Sequence, residues 1–233
     1  ILSACGGTRS ENNLDAETST SSGYVVDGYI ANARVFRDAN GNNRYDLGED
    51  FATTDTSGYF SGLKGSKNNV LVVDENGGVA TDTITGFPLS FTMKSPGDYS
   101  VITPVTTLVV AMQDKGYTLS EAEQAVLSVL GLPLTLNLES FDPFAPSFSD
   151  SSSNAEIYKT NSVKIANILM VSDNDFGSNS LPSYIDTLDN FSRFILDKYT
   201  KGEIVNFDNA QDLRELLPAV AAATVNELAA SHS

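Results

Sequence analysis

The chain has 233 residues, enough for one sizeable hydrophobic core or two small ones, and 41% of them are hydrophobic, which excludes global disorder. Its formal net charge of −16 excludes the basic surface that a nucleic-acid partner requires. The only histidine is His232, which argues against Ser-His-Asp, Cys-His and zinc centres. The glycine-rich motifs that bind nucleotides are also missing from the sequence. The functions that remain are catalysis by carboxylates and the binding of hard cations.

A short pattern at the N-terminus predicts a lipid anchor. Leu2-Ser3-Ala4-Cys5 resembles the bacterial lipobox, in which an apolar residue and two small residues precede a cysteine that is acylated. The resemblance implies that Cys5 carries a lipid and that the chain is trimmed within its signal sequence. Gly6 after the cysteine resembles lipoproteins that are forwarded to the outer membrane of Gram-negative bacteria. The alternative is a single free or buried cysteine.

The segment after Cys5 is polar and lacks a core-forming pattern. Residues 6–23 are rich in Ser, Thr, Asn and Gly, so we expect residues 1–23 to form the lipobox and a flexible tether. Beyond Cys5 there is no apolar run of 18 or more residues. We therefore expect a protein that is held at a membrane by its N-terminal lipid and does not span it.

Residues 24–98 contain short runs of β-branched and aromatic residues that are separated by turn residues. Turn signals spaced by about 8 to 12 residues favour an antiparallel β-sandwich. The predicted strands are Tyr24–Val26, Ala33–Phe36, Val70–Val73 and a stretch near Leu89–Met93, with a hairpin around Asp55–Gly58.

One stretch of this region, residues 33–63, resembles a known family. Its sequence, ARVFRDANGNNRYDLGEDFATTDTSGYFSGL, is similar to the B-type repeats of Gram-positive surface adhesins and to related prealbumin-like modules. Those modules carry the calcium loop V-[FY]-x-D-x-N-x-[ND]-G-x-x-D-x-G-E, followed by T-[DT]-x-x-G-x-[YF] in the next strand. The resemblance implies a cell-surface β-sandwich with a calcium loop.

The spacing within this stretch agrees with calcium coordination. An EF-type loop supplies ligands from positions 1, 3, 5, 7, 9 and 12, and position seven contributes its backbone carbonyl. Position six, where glycine is usual, is Asn43, and asparagine tolerates positive φ better than other residues with a side chain. The alternative is a surface turn held by its own hydrogen bonds. The predicted ligands of a structural Ca²⁺ are Asp38, Asn40, Asn42, the Arg44 carbonyl, Asp46 and Glu49.

From residue 99 the apolar residues recur with a helical period, which predicts an α-helical bundle over residues 99–233. The first helix is expected to begin at Pro104, and Ser120 with Glu123 is expected to form a capping box for the second. Pro218 is expected to kink or divide the last helix. The further helices are predicted within residues 153–171, 181–202 and 209–230. The predicted fold is thus α+β, with a β-sandwich domain before a helical domain.

Three functions are compatible with these patterns. We expect a non-catalytic outer-membrane lipoprotein for binding, adhesion or surface assembly, braced by calcium and with a surface protein or polysaccharide as partner. A second hypothesis is the binding of an extracellular polysaccharide or nutrient for an uptake system, which a Tyr and Phe cluster beside an acidic groove would favour. The third is a carboxylate hydrolase, which needs two acids in one cleft. An enzyme is not expected, because no spacing selects a pair among Asp142, Asp173, Asp175, Asp186, Asp189 and Asp197.

Overall fold

All strands of the structure come before its helices in the chain. A computed structural model describes residues 20–145, 153–173, 184–217 and 222–231. The strands are β1 (Ser21–Val25), β2 (Ile30–Ala31), β3 (Arg34–Arg37), β4 (Phe51–Thr53), β5 (Tyr59–Leu63), β6 (Leu71–Asp74), β7 (Thr81–Asp82), β8 (Met93–Ser95) and β9 (Val101–Ile102). The helices are α1 (Pro104–Gln113), α2 (Leu119–Val129), α3 (Ser153–Asp173), α4 (Tyr184–Lys201), α5 (Ala210–Leu216) and α6 (Ala222–Ser231). The α+β class is confirmed in this coarse form.

The largest sheet within these ranges has the strand order β4-β3-β6-β8 and is antiparallel throughout. Its two central strands pair Val35 with Val73 and Phe36 with Val72, and all four side chains are buried. Strands whose apolar residues run without alternation are typical of positions covered on both faces. The two strands lie within one residue of their predicted positions.

A second sheet, with the order β5-β1-β9, differs from the prediction in two ways. Strand β1 begins at Ser21, inside the segment predicted to be tether. Its pairing with β9 is parallel, with Tyr24 opposite Val101 and Val25 opposite Ile102, so the predicted antiparallel pairing is wrong for this sheet, and β9 itself lies in the segment predicted to be helical. The physical reason is that the chain forms strands β2 to β8 between β1 and β9, so β9 is free to run alongside β1 in the same direction. A small third sheet pairs β2 with β7.

Helix α1 joins the helical part to the large sheet. The backbone N–H of Lys94 in β8 donates to Thr107 Oγ1 over 2.9 Å, and Thr106 Oγ1 donates to the Lys94 carbonyl over 2.8 Å. At the start of α1, Thr103 Oγ1 lies 2.7 Å from the hydroxyl of Tyr158 in α3, and both side chains are fully buried. A single hydrophobic core cluster contains residues from both sides of residue 98. The division of the chain into two domains at that point stays a prediction.

Helix α1 begins at Pro104, as predicted, and Thr103 caps it. The cap of α2 differs from the prediction. Thr118 Oγ1 accepts the Glu121 N–H over 3.3 Å and Glu121 Oε2 accepts the Thr118 N–H over 2.9 Å, so the predicted Ser120 and Glu123 box is wrong. Glu123 is engaged elsewhere, because its carboxylate accepts a hydrogen bond from the Tyr99 hydroxyl.

The two competing capping boxes can be separated by mutation. We expect Thr118→Ala to lower the free energy of unfolding by about 1 kcal/mol, because it removes the side chain that satisfies a helix N-terminal donor. Ser120→Ala should change it by less than about 0.5 kcal/mol, because Ser120 is exposed on the helix surface. Urea denaturation of the two variants measures the difference. A larger loss from Ser120→Ala would contradict the observed cap.

Two further predictions concern the end of the chain and the membrane. The segment predicted as the last helix contains α5 and α6, which lie on either side of residues 218–221, so Pro218 itself lies outside the described residues. Cys5, Asp175 and His232 also lie outside them. Among the helices described, none combines the length and the apolar character that crossing a bilayer requires.

Candidate functional site

The predicted calcium loop, residues 38–49, connects β3 to β4 along one side of the large sheet. Hydrogen bonds close its base: the Arg37 N–H donates to the Asp50 carbonyl over 3.2 Å, and the Asp38 N–H donates to the Val70 carbonyl over 3.1 Å. The loop is therefore flanked by strands and tied to the neighbouring strand β6.

Asp38, the first predicted ligand, lies at the centre of the loop and only 6% of it is exposed. Its Oδ1 accepts the backbone N–H of Gly41 over 2.8 Å and that of Asn42 over 3.2 Å. Its Oδ2 accepts the Asn43 N–H over 2.8 Å. Three backbone donors thus wrap the chain around one carboxylate, and they fix its position before any ligand binds.

Asn40, Asn42 and Asp46 come together on the outer side of the loop. The Nδ2 atoms of both asparagines donate to Asp46 Oδ2, each over 2.7 Å. These two hydrogen bonds, and then the positive charge of Arg44, lower the pKa of the Asp46 carboxyl. Rotating either asparagine side-chain amide by 180° would place its oxygen where its nitrogen now lies. The loop can therefore offer amide oxygens beside a carboxylate that stays ionised.

Glu49 closes the loop. Its Oε1 accepts the Ala39 N–H over 2.8 Å, and its Oε2 accepts the Asp46 N–H over 3.0 Å. Both carboxylate oxygens therefore face the loop interior, one toward each end of the segment. This is the position at which an EF-type loop needs a bidentate acid. Arg44, whose carbonyl is the remaining predicted ligand, is exposed.

Asn43 adopts φ of 61°, a left-handed conformation. Position six of a calcium loop turns sharply and usually carries glycine for that reason. Asparagine is among the few residues that enter this region at modest cost. The departure of Asn43 from the family pattern therefore leaves the turn in place.

The chemistry of the donor set fits calcium, which prefers carboxylate, amide and carbonyl oxygens. In the part of the chain that the structure describes, no three His, Cys, Asp or Glu side chains gather as a metal-holding group. The three loop carboxylates, those of Asp38, Asp46 and Glu49, each accept hydrogen bonds from N–H groups of the loop. Binding an ion would therefore exchange some of these hydrogen bonds for metal contacts.

The loop also faces the helical part of the molecule. Asn43 lines a cavity of about 100 Å³ together with Lys94, Asp114, Leu188 and other residues of α1 and α4. Lys94 is almost fully buried, and its Nζ lies 3.6 Å from the Asp114 carboxylate. Burial lowers the pKa of Lys94, while the charges of Asp114 and Asp38 oppose this shift. The charge of Asp38 in the loop therefore influences the pKa of Lys94, which lies in the cavity between the loop and the helices.

A groove of about 350 Å³ lies on another face and was not predicted from the sequence. Its walls include Tyr24 and Tyr59, whose rings are 5.1 Å apart between centroids, and Asp142. The Tyr29 ring lies tilted beside Tyr24 with 6.2 Å between the centroids, and its hydroxyl donates to Asp142 Oδ2 over 2.8 Å. An aromatic cluster thus borders a carboxylate, the arrangement that would favour the polysaccharide or nutrient hypothesis.

Ion pairs or hydrogen bonds engage three of the carboxylates considered as catalysts. Asp189 is bound to Lys115 and Arg193, and Asp197 is bound to Lys201. Asp142 accepts the Tyr29 hydroxyl, as described above. Asp186 is exposed, and the side chain of Asp173 lies outside the described part.

Two other acids, which the sequence did not single out, line one cavity of about 360 Å³. They are Asp27 and Asp82. Burial, and then the neighbouring charge of Asp82, raises the pKa of Asp27 to about 7. Asp82 holds its own turn, because its Oδ1 accepts the Ile84 N–H over 2.8 Å and its Oδ2 accepts the Thr85 hydroxyl over 2.6 Å. One carboxylate of the two is therefore committed to structure, and the expectation that the chain is not an enzyme stays a prediction.

Comparisons with known proteins do not assign the chain to a family. No protein-family model, no curated protein and no solved structure matches it. The similarity to B-type repeats and the similarity to the lipobox therefore rest on residues 33–63 and residues 2–5 alone.

Proposed function

We propose that the protein is a non-catalytic module of the cell surface that serves binding, adhesion or assembly, with calcium bracing the loop of residues 38–49. The observation that supports this is the convergence of Asp38, Asn40, Asn42, Asp46 and Glu49 within one loop whose turn is already formed at Asn43. A lipid on Cys5, supported by the lipobox resemblance, would anchor the module to the outer membrane.

Calcium would act as a structural brace in this loop. Asp38, Asp46 and Glu49 would supply the negative charge, and Asn40, Asn42 and the Arg44 carbonyl would supply neutral oxygens. The bound ion supplies charge that offsets the repulsion among three carboxylates in a segment of twelve positions. Since the loop joins two strands, the ion would stiffen their connection without opening a groove between helices.

Isothermal titration calorimetry tests this proposal. We expect one Ca²⁺ per chain, bound with a dissociation constant of about 10⁻⁵ to 10⁻³ M, which runs from the weakest sensors to the extracellular modules. Glu49→Gln should weaken binding at least about tenfold, because it removes the charge of the acid whose two oxygens accept the N–H groups of Ala39 and Asp46. Glu75→Gln is the matched control, since Glu75 is an exposed acid outside the loop.

Two outcomes would contradict the calcium site. The first is the absence of binding by the wild-type protein at several times the upper end of that range. The second is an equal loss of affinity in Glu49→Gln and Glu75→Gln, which would show that calcium responds to the net charge of the protein and not to the loop.

A second candidate function is the binding of an extracellular polysaccharide or nutrient. The groove formed by Tyr24, Tyr59 and Asp142 favours it, because aromatic faces beside a carboxylate suit a polyhydroxylated ligand. This function and the first are compatible, since the calcium loop and the groove are lined by different residues.

A further inference from the structure

The cavity that contains Asp27 lies between the strand part of the molecule and helix α3. Its volume is about 360 Å³, within the range of small-molecule sites. Its walls come from residues 27–30, from residues 82–91 and from the face of α3 between Lys159 and Met170. The inner wall is apolar and buried, with Ile30, Leu89 and Phe91 among its members.

Large hydrophobic side chains also surround the mouth of this cavity while remaining exposed. Ile84 is 64% exposed, Phe87 is 72% exposed and Val163 is 51% exposed. Single exposed apolar residues are common on protein surfaces, but a group that borders a cavity marks a binding site more often than chance. These three belong to two segments that are far apart in the sequence, so the group results from the fold.

Asp27 is the charged residue on the described walls of the cavity that has no structural task. It is partly buried and makes no hydrogen bond or ion pair with any residue that the structure describes. Asp82, its acidic neighbour, is fully used by the turn at Ile84 and Thr85. The one basic residue on the described walls is Lys159, which pairs with Glu156 at 3.1 Å and lies 5.2 Å over the Phe144 ring.

These features select the chemistry of a ligand. The apolar walls favour a hydrocarbon body, since its burial is driven by the hydrophobic effect. The two carboxylates favour a positive group over a negative one, and Asp27 offers unoccupied acceptor atoms to a donor. A carboxylate in an apolar pocket is costly unless a cation or donor meets it.

We propose that this cavity binds a small molecule with an apolar body and a protonated amine, and that the amine pairs with Asp27. This inference goes beyond the proposed function, because it depends neither on calcium nor on the membrane anchor. The ligand class is an alkylamine or arylalkylamine, as distinct from the polyhydroxylated ligand that the tyrosine groove would suit.

Three probes with one hydrocarbon body and different head groups test the proposal: 4-phenylbutylamine, 4-phenylbutanol and 4-phenylbutyrate. Binding is followed by chemical-shift titration of the ¹⁵N-labelled chain, with the amides of Gly28, Ile84 and Ala166 reporting on the cavity. We expect the amine to bind with a dissociation constant of about 0.1 to 5 mM at about pH 8, at least about tenfold tighter than the alcohol, and the carboxylate not to bind.

Variants assign the preference to Asp27. Asp27→Asn should reduce the affinity for the amine to that for the alcohol and leave the alcohol unchanged, whereas Glu75→Gln should change neither. An unchanged alcohol titration also shows that Asp27→Asn is folded. The titrations are run with calcium and with chelator, so that failure of the calcium site cannot be mistaken for failure of this one.

Three results of the probe titrations would overturn the inference. They are equal binding of the amine and the alcohol by the wild-type chain, an amine preference that survives in Asp27→Asn, and no cavity shifts with any probe. Shifts at the mouth that depend on protein concentration without a probe would also overturn it, because they would assign the surface to a second copy of the chain.

Discussion

Replacing Arg37 with methionine is expected to lower the free energy of unfolding by about 3 kcal/mol. Arg37 is 2% exposed, and its Nη1 donates to the carbonyls of Ser66, Gly97 and Asn69 at 2.8, 3.0 and 3.3 Å. Its Nη2 donates to Ser21 Oγ over 2.6 Å. Methionine fills much of the same space but leaves these acceptors without their donor, and an unsatisfied buried acceptor costs more than a hydrogen bond gains.

The matched control for this change is Arg193→Met. Arg193 forms an ion pair with Asp189 on the surface of α4, and its side chain is largely exposed. We expect a loss of less than about 0.5 kcal/mol there, since surface ion pairs contribute little. Urea denaturation measures both variants. A loss from Arg37→Met as small as that from Arg193→Met would show that water replaces the guanidinium and that the contacts of Arg37 do not hold these segments together.

Replacing Asp27 with asparagine is expected to raise the free energy of unfolding, and the gain should depend on pH. The pKa of Asp27 is about 7 in the folded protein, above its ordinary value of 3.8. A raised carboxyl pKa means that the folded state holds the proton more tightly than the unfolded state. This contribution to stability is full below about pH 4 and is lost as the pH rises toward 7.

Asparagine stays neutral, so the variant avoids that loss. We expect the free energy of unfolding of Asp27→Asn to exceed that of the wild type by about 2 kcal/mol near pH 8 and to match it near pH 4. The expected gain is smaller than the full pKa shift would give, because Asp27 is only partly buried. Asp82 and Lys159 are the other charged groups on the cavity walls, and both remain in the variant. Denaturation at several pH values checks the curve. A constant difference across this range, such as Glu75→Gln should show, would contradict the raised pKa.

The features that the sequence predicted well are local. Strands β3 and β6 were predictable because their apolar runs are short and lie between turn residues. The start of α1 was predictable because Pro104 suits the first turn of a helix. The hydrogen-bonded loop of residues 38–49 is local in the same way, and its role as a calcium site stays a prediction.

Errors arose where two local patterns competed. Thr118 with Glu121 and Ser120 with Glu123 both satisfy the capping-box spacing, and tertiary structure decided between them when Tyr99 bonded to Glu123. The strand expected near Leu89–Met93 begins only at Met93. The Leu89 N–H instead donates to the Ala80 carbonyl, and Pro88 forms an isolated bridge with Thr81.

The cavities could not have been predicted, because their members are distant in sequence. Asp27, Asp82 and Lys159 line one space although they come from a turn, a strand and a helix. Tyr59 and Asp142 meet in the groove in the same way. The parallel pairing of β1 with β9 could not be predicted either. Strand β9 has only two residues, and so short a stretch carries no pattern that identifies its partner strand.

Thermal unfolding tests most directly whether the loop of residues 38–49 is a structural calcium site. At a calcium concentration about one hundred times the dissociation constant, the ion should add about 2.7 kcal/mol of stability. For a chain of this size that raises the melting midpoint by about 5 to 10 °C relative to the same protein in chelator. We expect this rise for the wild type and for Glu75→Gln, and at most about half of it for Glu49→Gln, because that variant binds calcium at least about tenfold more weakly. Equal midpoints in calcium and in chelator for the wild type would contradict it.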